Sequence, residues 1–273
     1  MVKKLSIITV NYNDKNGLQK TIESVVNQTW KDFEFIVIDG GSKDGSAELL
    51  IQYQNRIAYG ISETDSGVYN AMNKGIRKAT GDYVLFLNSG DILNDPKVLE
   101  KVEQNLDCTF GIYYGDANYI EKDGEHKRTY PDQLSFSFFL DYNLSHQASF
   151  IKRNLFFDIF LYNEDYKIVS DWAFFIYAIC NQNVPYKHLN LIICKYDTMG
   201  ISSIIDNHKA MHEERRATIQ KYFPLFIEDY NSISEIKSKR FKQFAFIKSH
   251  PIAFKILKGF MNLILAFLPK FKK

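Results

Sequence analysis

The chain has 273 residues, 45% of them hydrophobic and 24% charged, a composition that supports a buried core and excludes disorder throughout. Its three cysteines are far apart and none forms a C-x-x-C pair, which excludes a disulfide framework and a zinc knuckle. The net charge of +2 is unevenly divided, because residues 237–273 carry ten Lys or Arg and no Asp or Glu, which leaves 24 basic and 32 acidic residues in 1–236.

The first hundred residues alternate β-rich segments with helical patterns, as in parallel strands joined by crossover helices. The second and fourth β-rich segments are almost continuously apolar, so helices should cover both faces of the sheet. The predicted fold is α/β, with an open, mostly parallel sheet sandwiched by helices. We predict strands at residues 5–11, 33–39, 57–61 and 83–87, and helices at 17–28, 46–54 and 68–79.

The first apolar run, residues 5–10, is too short for a signal-peptide core, and with the unpaired cysteines it predicts a cytoplasmic protein. After residue 110 the pattern becomes less regular, with helices expected near 171–180 and 208–223. We therefore divide the chain into one domain and a tail. The domain is 1–235, with halves 1–110 and 111–235, and the tail is 236–273.

Polar segments follow each predicted strand of the first half. In open α/β sheets ligands bind in the crevice beyond the carboxyl ends of the strands, so a site is expected there. Neither a P-loop nor a dinucleotide-binding fingerprint occurs, which argues against a nucleotide hydrolase or a dehydrogenase. The polar segments are residues 11–13, 39–46, 63–67 and 88–91.

Several segments, taken in order, closely resemble the family-2 inverting glycosyltransferases of the GT-A fold, of the bacterial cell-surface polysaccharide type. The resemblance implies a Rossmann-like nucleotide-binding half, an acceptor-binding half and a requirement for Mn²⁺ or Mg²⁺. The segments are SIITVNYN at 6–13, Asp39 with GSKDGS at 41–46, DSGVYNAMNKG at 65–75, GDYV at 81–84, and later Ser170-Asp171-Trp172 and Gly200-Ile201-Ser202.

Asp39 ends a buried strand, where its carboxylate can accept the imide N–H of a pyrimidine base. The resemblance implies the same role, and Thr9 and Asn11 would border that base. The alternative is that Asp39 only caps the turn that follows it. Further contacts to the nucleotide-sugar donor are expected from Ser42, Asp65, Asn73, Ser89 and Gly90.

Asn88-Ser89-Gly90-Asp91 stands where the family carries its D-x-D-type metal motif. Asp91 offers the hard oxygen ligand that Mn²⁺ or Mg²⁺ prefers, and such a metal neutralises charge on the departing nucleoside diphosphate. Ser89 and Gly90 stand where many relatives keep further carboxylates. The alternative role of Asp91 is that of a turn residue after a strand.

Asp171 matches the family's general base, which takes the proton of the acceptor hydroxyl as its oxygen attacks the anomeric carbon. The alternative is an aspartate favoured by the dipole at a helix N-terminus. A sugar needs hydrogen-bonding partners in fixed positions. We expect these from His146, Gln147, Ser170 and Trp172, around the donor sugar or the acceptor.

The tail alternates Lys with Phe, Ile and Leu from residue 241 to 271, and its longest charge-free run, 259–269, is well short of the ~20 residues that span a bilayer. This pattern predicts an amphipathic helix that lies peripherally on the inner face of the cell membrane. Alternatives are packing on the body or a homodimer contact. Nucleic acid is disfavoured, because Phe and Leu on every face suit lipid better.

The predicted function is transfer of a sugar from a nucleotide-diphosphate donor to a membrane-linked glycan or a lipid-linked acceptor. The favoured donor is a UDP-sugar. A sugar-1-phosphate nucleotidyltransferase is an alternative, opposed by the lack of its glycine-rich basic loop after the first strand. A non-catalytic glycan-assembly scaffold is another. A glycoside hydrolase would use Asp65, Asp91 and Asp171 but would leave the Asp39 loop unexplained.

Overall fold

The computed structural model describes residues 4–121, 123–198, 207–236 and 239–268. The chain folds into two compact units, residues 1–218 and 219–273. The predicted acceptor-side segment Gly200-Ile201-Ser202 lies outside the described residues. The strands are β1 (Leu5–Asn11), β2 (Phe33–Asp39), β3 (Tyr59–Ser62), β4 (Tyr83–Phe86), β5 (Ile92–Leu93), β6 (Ile112–Glu121), β7 (Gly124–Arg128), β8 (Ser149–Lys152) and β9 (Tyr186–Asp197).

Helices flank this sheet in the first unit and make up the described part of the second. Short 3-10 helices occupy His146–Ala148 and Pro224–Phe226. The α-helices are α1 (Lys15–Val26), α2 (Ser46–Gln52), α3 (Val68–Lys78), α4 (Val98–Glu103), α5 (Phe136–Asp141), α6 (Leu155–Asp158), α7 (Ser170–Cys180), α8 (His208–Tyr222), α9 (Ile227–Ile236), α10 (Lys239–Lys248) and α11 (Pro251–Ala266).

The sheet runs in the order β3-β2-β1-β4-β8-β6-β9-β5, with β7 paired to β6. Strands β3, β2, β1 and β4 are parallel, as the alternation of strand and helix predicted. Strand β8 joins antiparallel to β4 and to β6, and β6 then pairs parallel with β9. The α/β sandwich is therefore confirmed, and its second half makes the sheet mixed.

Helices cover both faces of the parallel region. All seven residues of β1 are buried. On one face, Leu18 and Ile22 of α1 belong to the same buried cluster as Ile7. On the other face α3 packs so closely that a side chain at Gly75 would meet Ile8 at 2.5 Å. Continuous apolar strands thus correspond to a sheet buried on both sides.

Helix α1 begins two residues before its predicted start. Asp14 explains the difference, because its Oδ1 accepts a hydrogen bond of 2.9 Å from the Gly17 N–H, one of the donors that the first helical turn leaves unpaired. An aspartate at this position is an N-cap signal. The predicted bounds of β1 and β2 agree with the structure.

The second unit contains the predicted tail. The large apolar side chains of α11 are exposed, among them Ile252, Ile256, Phe260 and Leu263. Their spacing of three or four residues places them along one side of the helix. In the part of the chain that the structure describes, no helix combines the length and apolar character that crossing a bilayer requires.

Candidate active site

Three predicted carboxylates lie around one end of the parallel strands. Asp39 is the last residue of β2, and Asp91 follows β4 by a short turn. Asp171 belongs to the first turn of α7. All three residues are at most 7% exposed. Burying three carboxylates in one region is costly unless each is paired, so their partners define the site.

The Asp39 carboxylate accepts four hydrogen bonds. Its Oδ1 accepts from Asn11 Nδ2 and Ser42 Oγ, both at 2.6 Å, and its Oδ2 accepts from the Ser42 N–H at 3.0 Å and Ser62 Oγ at 2.5 Å. Burial opposes ionisation, but the bonds from Ser42, Ser62 and Asn11 outweigh it and hold the pKa of Asp39 below its ordinary value. Asp39 is therefore ionised, and its carboxylate also accepts hydrogen bonds from Ser42 in the loop that follows β2.

Thr9, Asn11 and Ser89 connect β1 to the loop after β4. Thr9 Oγ1 donates to the Leu87 carbonyl at 2.7 Å, and Ser89 Oγ donates to Asn11 Oδ1 at 2.8 Å. Thr9 has no exposed surface. Asn11 thus links the Asp39 cluster to the segment that contains Asp91.

Asp65 and Asn73 have different environments. Asp65 is half-buried and caps its own turn, with Oδ1 accepting from the Gly67 N–H at 2.9 Å, and its Oδ2 lies over the Cα of Gly40. Asn73 is 1% exposed, and its amide donates to the Tyr162 carbonyl and to Glu164 Oε1, both at 2.8 Å. Asn73 therefore ties α3 to the loop before α7.

Asp91 is 3% exposed and accepts one described hydrogen bond on each oxygen. Gln147 Nε2 donates to Oδ2 and the Asp197 N–H donates to Oδ1, both at 3.0 Å. Burial raises the pKa of Asp91 to about 7, because these bonds and the charge of His146 compensate only in part. Each carboxylate oxygen has two lone pairs, so Asp91 retains acceptor capacity for a ligand.

Asp197, which sequence reasoning missed, contributes a second carboxylate at this place. It ends β9, and its charge also raises the pKa of Asp91. A side chain at Gly90, which has φ +93°, would lie 3.7 Å from Asp197 Oδ2 and 3.9 Å from Asp14 Oδ2. Glycine suits the positive φ of this turn, which lies beside two further carboxylates.

Asp171 is held by three side chains. Tyr69 Oη lies 3.2 Å from Oδ1 and makes its shorter hydrogen bond, 2.5 Å, to the Ile168 carbonyl. Oδ2 contacts Asn143 Nδ2 at 2.9 Å and His146 Nδ1 at 3.0 Å. Burial opposes ionisation, but the hydrogen bond and charge of His146 outweigh it and keep the pKa of Asp171 below its ordinary value. One tenth of the side chain is exposed, so a small donor group can reach it.

The 3-10 helix His146–Ala148 joins the two carboxylates. His146 contacts Asp171, while its neighbour Gln147 donates to Asp91. His146 Nε2 also lies 3.2 Å from Asn88 Nδ2 in the loop after β4. Hydrogen bonds thus link Asp39 to Ser89 through Asn11, Asp171 to Asn88 through His146, and Gln147 to Asp91. Because residues 88–91 and 146–147 are adjacent in the chain, these bonds and the two segments form one network.

Two acceptor atoms in this network are buried without a hydrogen-bond partner among the described residues. They are Asn88 Oδ1 and Asn143 Oδ1. A buried acceptor that lacks a donor costs about 1–3 kcal/mol. Sugar hydroxyls are donors of the kind that would satisfy both atoms.

Ser170 and Trp172 lie beneath the site. Ser170 has no exposed surface, and its Oγ accepts from the Asn163 N–H at 2.5 Å. Trp172 is 1% exposed and donates its indole N–H to the Phe139 carbonyl at 2.7 Å. Both residues hold α7 in place in this structure, and neither presents surface to a sugar.

Comparison with known proteins assigns the family. The family model described as glycosyl transferase family 2 matches residues 6–170, which is more than half of the chain. The chain belongs to glycosyl transferase family 2. This assignment confirms the resemblance that the sequence motifs carry, and it makes the protein a glycosyltransferase.

A curated relative and a solved structure are similar to this chain. A PGL/p-HBAD biosynthesis glycosyltransferase of Mycobacterium bovis is 30% identical over 201 residues, 71% of this chain and 77% of its own length. The structure of S. aureus TarS 1-349 in complex with UDP-GlcNAc has a TM-score of 0.63 at 18% identity, over 81% of this chain and 67% of that one. This chain spans 39% of the longer TarS chain.

A more distant structure covers nearly the whole glycosyltransferase chain. The mannosyltransferase PcManGT of Pyrobaculum calidifontis, in complex with GDP-Man and Mn²⁺, has a TM-score of 0.62 at 14% identity, over 98% of this chain and 76% of its own. At such identities the likeness shows a shared fold. The predicted GT-A architecture is confirmed.

Another group of potential metal ligands lies on the β6–β7 hairpin. Ligand atoms of Glu121, Asp123 and His126 lie within 4.8 Å of one another, and all three side chains are exposed. Exposed carboxylates are well hydrated, and this glycosyltransferase shows no buried polar group aimed at them among the described residues. We assign the hairpin cluster no metal.

Proposed function

We propose that this glycosyltransferase transfers a sugar from a UDP-sugar to a glycan or lipid-linked acceptor, with inversion and with the help of a divalent metal. The observation that carries the proposal is the single network joining Asp39, Asp91 and Asp171. Such a network provides the three things the reaction needs in one place: a base-binding carboxylate, a metal ligand and a proton acceptor. Cell-surface polysaccharide assembly is the setting that the sequence resemblance implies.

Donor binding would begin at Asp39. Its four described hydrogen bonds use all four lone pairs, so an imide N–H can be accepted only when one donor turns away. Ser62 is exposed, so its hydroxyl can exchange its hydrogen bond to Asp39 for one to water at a lower cost than the buried donors can. A uracil would then replace the Ser62 hydroxyl on Oδ2. The complexes of TarS with UDP-GlcNAc and of PcManGT with GDP-Man support a nucleotide-sugar donor of this kind.

A divalent metal fits the Asp91 end of the network. The donors there are hard oxygens, Asp91 has acceptor capacity left, and the charge of Asp197 adds to the need for a cation. Asp91 would hold the metal, with Asp197 beside it. Mn²⁺ or Mg²⁺ would supply charge neutralisation for the leaving diphosphate.

Asp171 would act as the general base. The acceptor oxygen forms a bond to the anomeric carbon, the bond from that carbon to the diphosphate oxygen breaks, and the electron pair leaves with the nucleoside diphosphate. The acceptor proton passes to Asp171. His146 above all, and then Tyr69, favour the ionised form of the carboxylate, and Asn88 Oδ1 and Asn143 Oδ1 would accept sugar hydroxyls.

A thermal-shift panel of nucleotide sugars tests the proposal. A donor at 100 times its Kd stabilises the folded state by about 2.7 kcal/mol, which raises Tm by roughly 5–10 °C for a body of this size. We expect UDP-sugars with Mn²⁺ to give this shift and UDP-sugars without metal to give less. GDP-sugars are the matched comparison for the base, and a panel without any shift would contradict donor binding.

We further propose that the tail attaches the enzyme to the inner face of the cell membrane. Exposed apolar side chains of α11 would enter the lipid, and each basic residue near an anionic surface adds about 1 kcal/mol. Deletion of the residues after Lys237 should move the protein from the membrane pellet to the soluble fraction. Unchanged fractionation would contradict the proposal.

The contribution of charge to membrane binding can be measured separately from that of the apolar side chains. The full chain should float with vesicles containing anionic lipid more than with neutral vesicles. Replacing Lys255 and Lys258 by Gln should reduce that difference, by about 1 kcal/mol for each charge removed, while leaving the apolar side chains in place. Equal flotation with both kinds of vesicle would contradict the charge contribution. Absence of flotation with either kind would point instead to a homodimer contact, which sedimentation of the lipid-free protein would detect.

A further inference from the structure

A cavity of about 530 Å³ in the first unit is used by none of the catalytic groups above, although Glu121, His126 and Lys127 of the hairpin also line it. It lies where the β6–β7 hairpin meets α5 and the residues that follow it. Tyrosine rings form much of its wall, and a guanidinium group lies among them. The wall includes Tyr119, Arg128, Tyr130, Pro131, Phe138 and Tyr142.

Arg128 is the chemically unusual member of this wall. Its guanidinium carbon lies 4.8 Å from the ring centre of Tyr142, 5.7 Å from that of Tyr119 and 5.9 Å from that of Tyr130. The rings stabilise the cation without using its N–H groups. The neighbouring Lys127, by contrast, pairs at 3.1 Å with the buried carboxylate of Asp116.

Arg128 has no carboxylate within 4 Å among the residues that the structure describes, and its side chain makes none of the described hydrogen bonds. It is half-buried and permanently charged, with five N–H donors in a planar fork. That fork matches the paired oxygens of a phosphate or a carboxylate. A stacked, unpaired guanidinium in a cavity of this size therefore suits an anionic ligand.

The cavity borders the catalytic network at two places. Tyr142 is followed directly by Asn143, whose amide donates to Asp171 Oδ2 at 2.9 Å. Tyr119 packs against Tyr196 with ring centres 4.9 Å apart, and the next residue, Asp197, donates its N–H to Asp91. Adjacent Cα atoms are about 3.8 Å apart, so a ligand in the cavity would lie within a few sugar units of the reacting groups.

We propose that the Arg128 cavity binds an anionic oxygen group of the acceptor, a phosphate or a carboxylate, with the adjoining ring or apolar group against the tyrosines. This rests on the proposed transferase function, which supplies the acceptor. Arg128 then selects charged acceptors over neutral ones. The same residue holds them beside Asp171.

Small probes test the cavity directly. Phenyl phosphate, benzoate and the neutral phenyl β-glucoside would be titrated into the full chain by calorimetry, with saturating UDP and Mn²⁺ to block the donor crevice. At least one anion should bind tenfold or more tightly than the glucoside, and which anion binds distinguishes phosphate from carboxylate. Equal or absent binding of the three probes would overturn the proposal.

Two arginine variants localise the binding. Arg128→Gln should weaken the preferred anion at least tenfold. Arg153→Gln is the matched control, because its guanidinium also lies over a ring, 5.3 Å from the centre of Phe157, outside the cavity. If the Gln variant does not fold, Arg128→Lys keeps the charge but loses the planar fork and should still bind severalfold more weakly. Wild-type affinity in a folded Arg128 variant refutes the site.

The test of anion binding at Arg128 can fail or succeed independently of the transferase proposal. Arg128→Gln should leave the Tm shift with UDP-GlcNAc and Mn²⁺ unchanged, since Arg128 is remote from Asp39. In a turnover assay it should raise the acceptor KM and leave the donor KM unchanged. Failure of every nucleotide sugar to bind would remove the transferase proposal alone, while anion binding that depends on Arg128 would still stand.

Discussion

Asp171→Asn should abolish most turnover while leaving the fold and donor binding intact. An amide of the same shape keeps the packing of α7 but cannot take a proton from the acceptor hydroxyl. General-base catalysis contributes about 10²–10⁴-fold, so we expect kcat to fall by roughly 10³-fold. The measurement is turnover with a UDP-sugar and Mn²⁺, alongside the thermal shift given by the same donor.

Asp165→Asn is the matched control for this change. Asp165 is an exposed aspartate in the loop that precedes α7, so its variant tests the effect of losing one carboxylate near the site. Its activity should stay within about twofold of wild type, because exposed groups away from such contacts have small effects. An Asp171→Asn enzyme with full turnover would show that another group takes the proton.

The parallel half of the fold was predictable because its signals are local. Strands β1 and β2 are short apolar runs bounded by polar loops, and their predicted bounds match the structure. The position of the crevice followed from the rule that parallel strands end at the same edge. This rule alone was enough to predict that Asp39 and Asp91 lie beside a common region.

The second half could not be derived in this way. Strand β8 inserts antiparallel between β4 and β6, and its pairing with β4 connects residues that are more than sixty positions apart. No local pattern encodes such a register. Two partners of the site from this half, Asn143 and Asp197, were missed for that reason, whereas His146 and Gln147 were predicted. A carboxylate at the end of a strand was the available signal for Asp197.

The burial of individual motif residues also could not be predicted from the sequence. Asn73 and Trp172 both stand within motifs of the family, which suggested ligand contacts. In the structure their polar groups bond to main-chain carbonyls, those of Tyr162 and Phe139. A motif residue can thus act by holding the loop or helix that carries Asp171, and its donor or sugar contacts remain untested predictions.

Asp91→Asn should remove the metal dependence of the enzyme. The amide keeps the shape of the side chain but lacks the charge that a divalent cation requires, so the Mn²⁺-dependent part of the donor shift should vanish. A metal acting on the leaving group contributes several kcal/mol, so turnover should fall by about 10²–10³-fold. Donor titrations with and without Mn²⁺, and turnover at saturating donor, measure the two effects.

The Tm of the Asp91→Asn variant shows whether its loss of metal response comes from unfolding. Asp91 is buried, and among the described residues no cationic side chain forms an ion pair with it. The negative charge of the nearby Asp197 disfavours ionisation of Asp91. The neutral variant avoids the cost of burying that charge, so its metal-free Tm at pH 8 should be no lower than that of wild type. Asp95→Asn, at a nearby position whose side chain is 34% exposed and pairs with Lys101 at 3.1 Å, is the matched control for the metal response, which it should leave unchanged. An Asp91→Asn enzyme that still responds to Mn²⁺ as wild type does would move the metal site elsewhere.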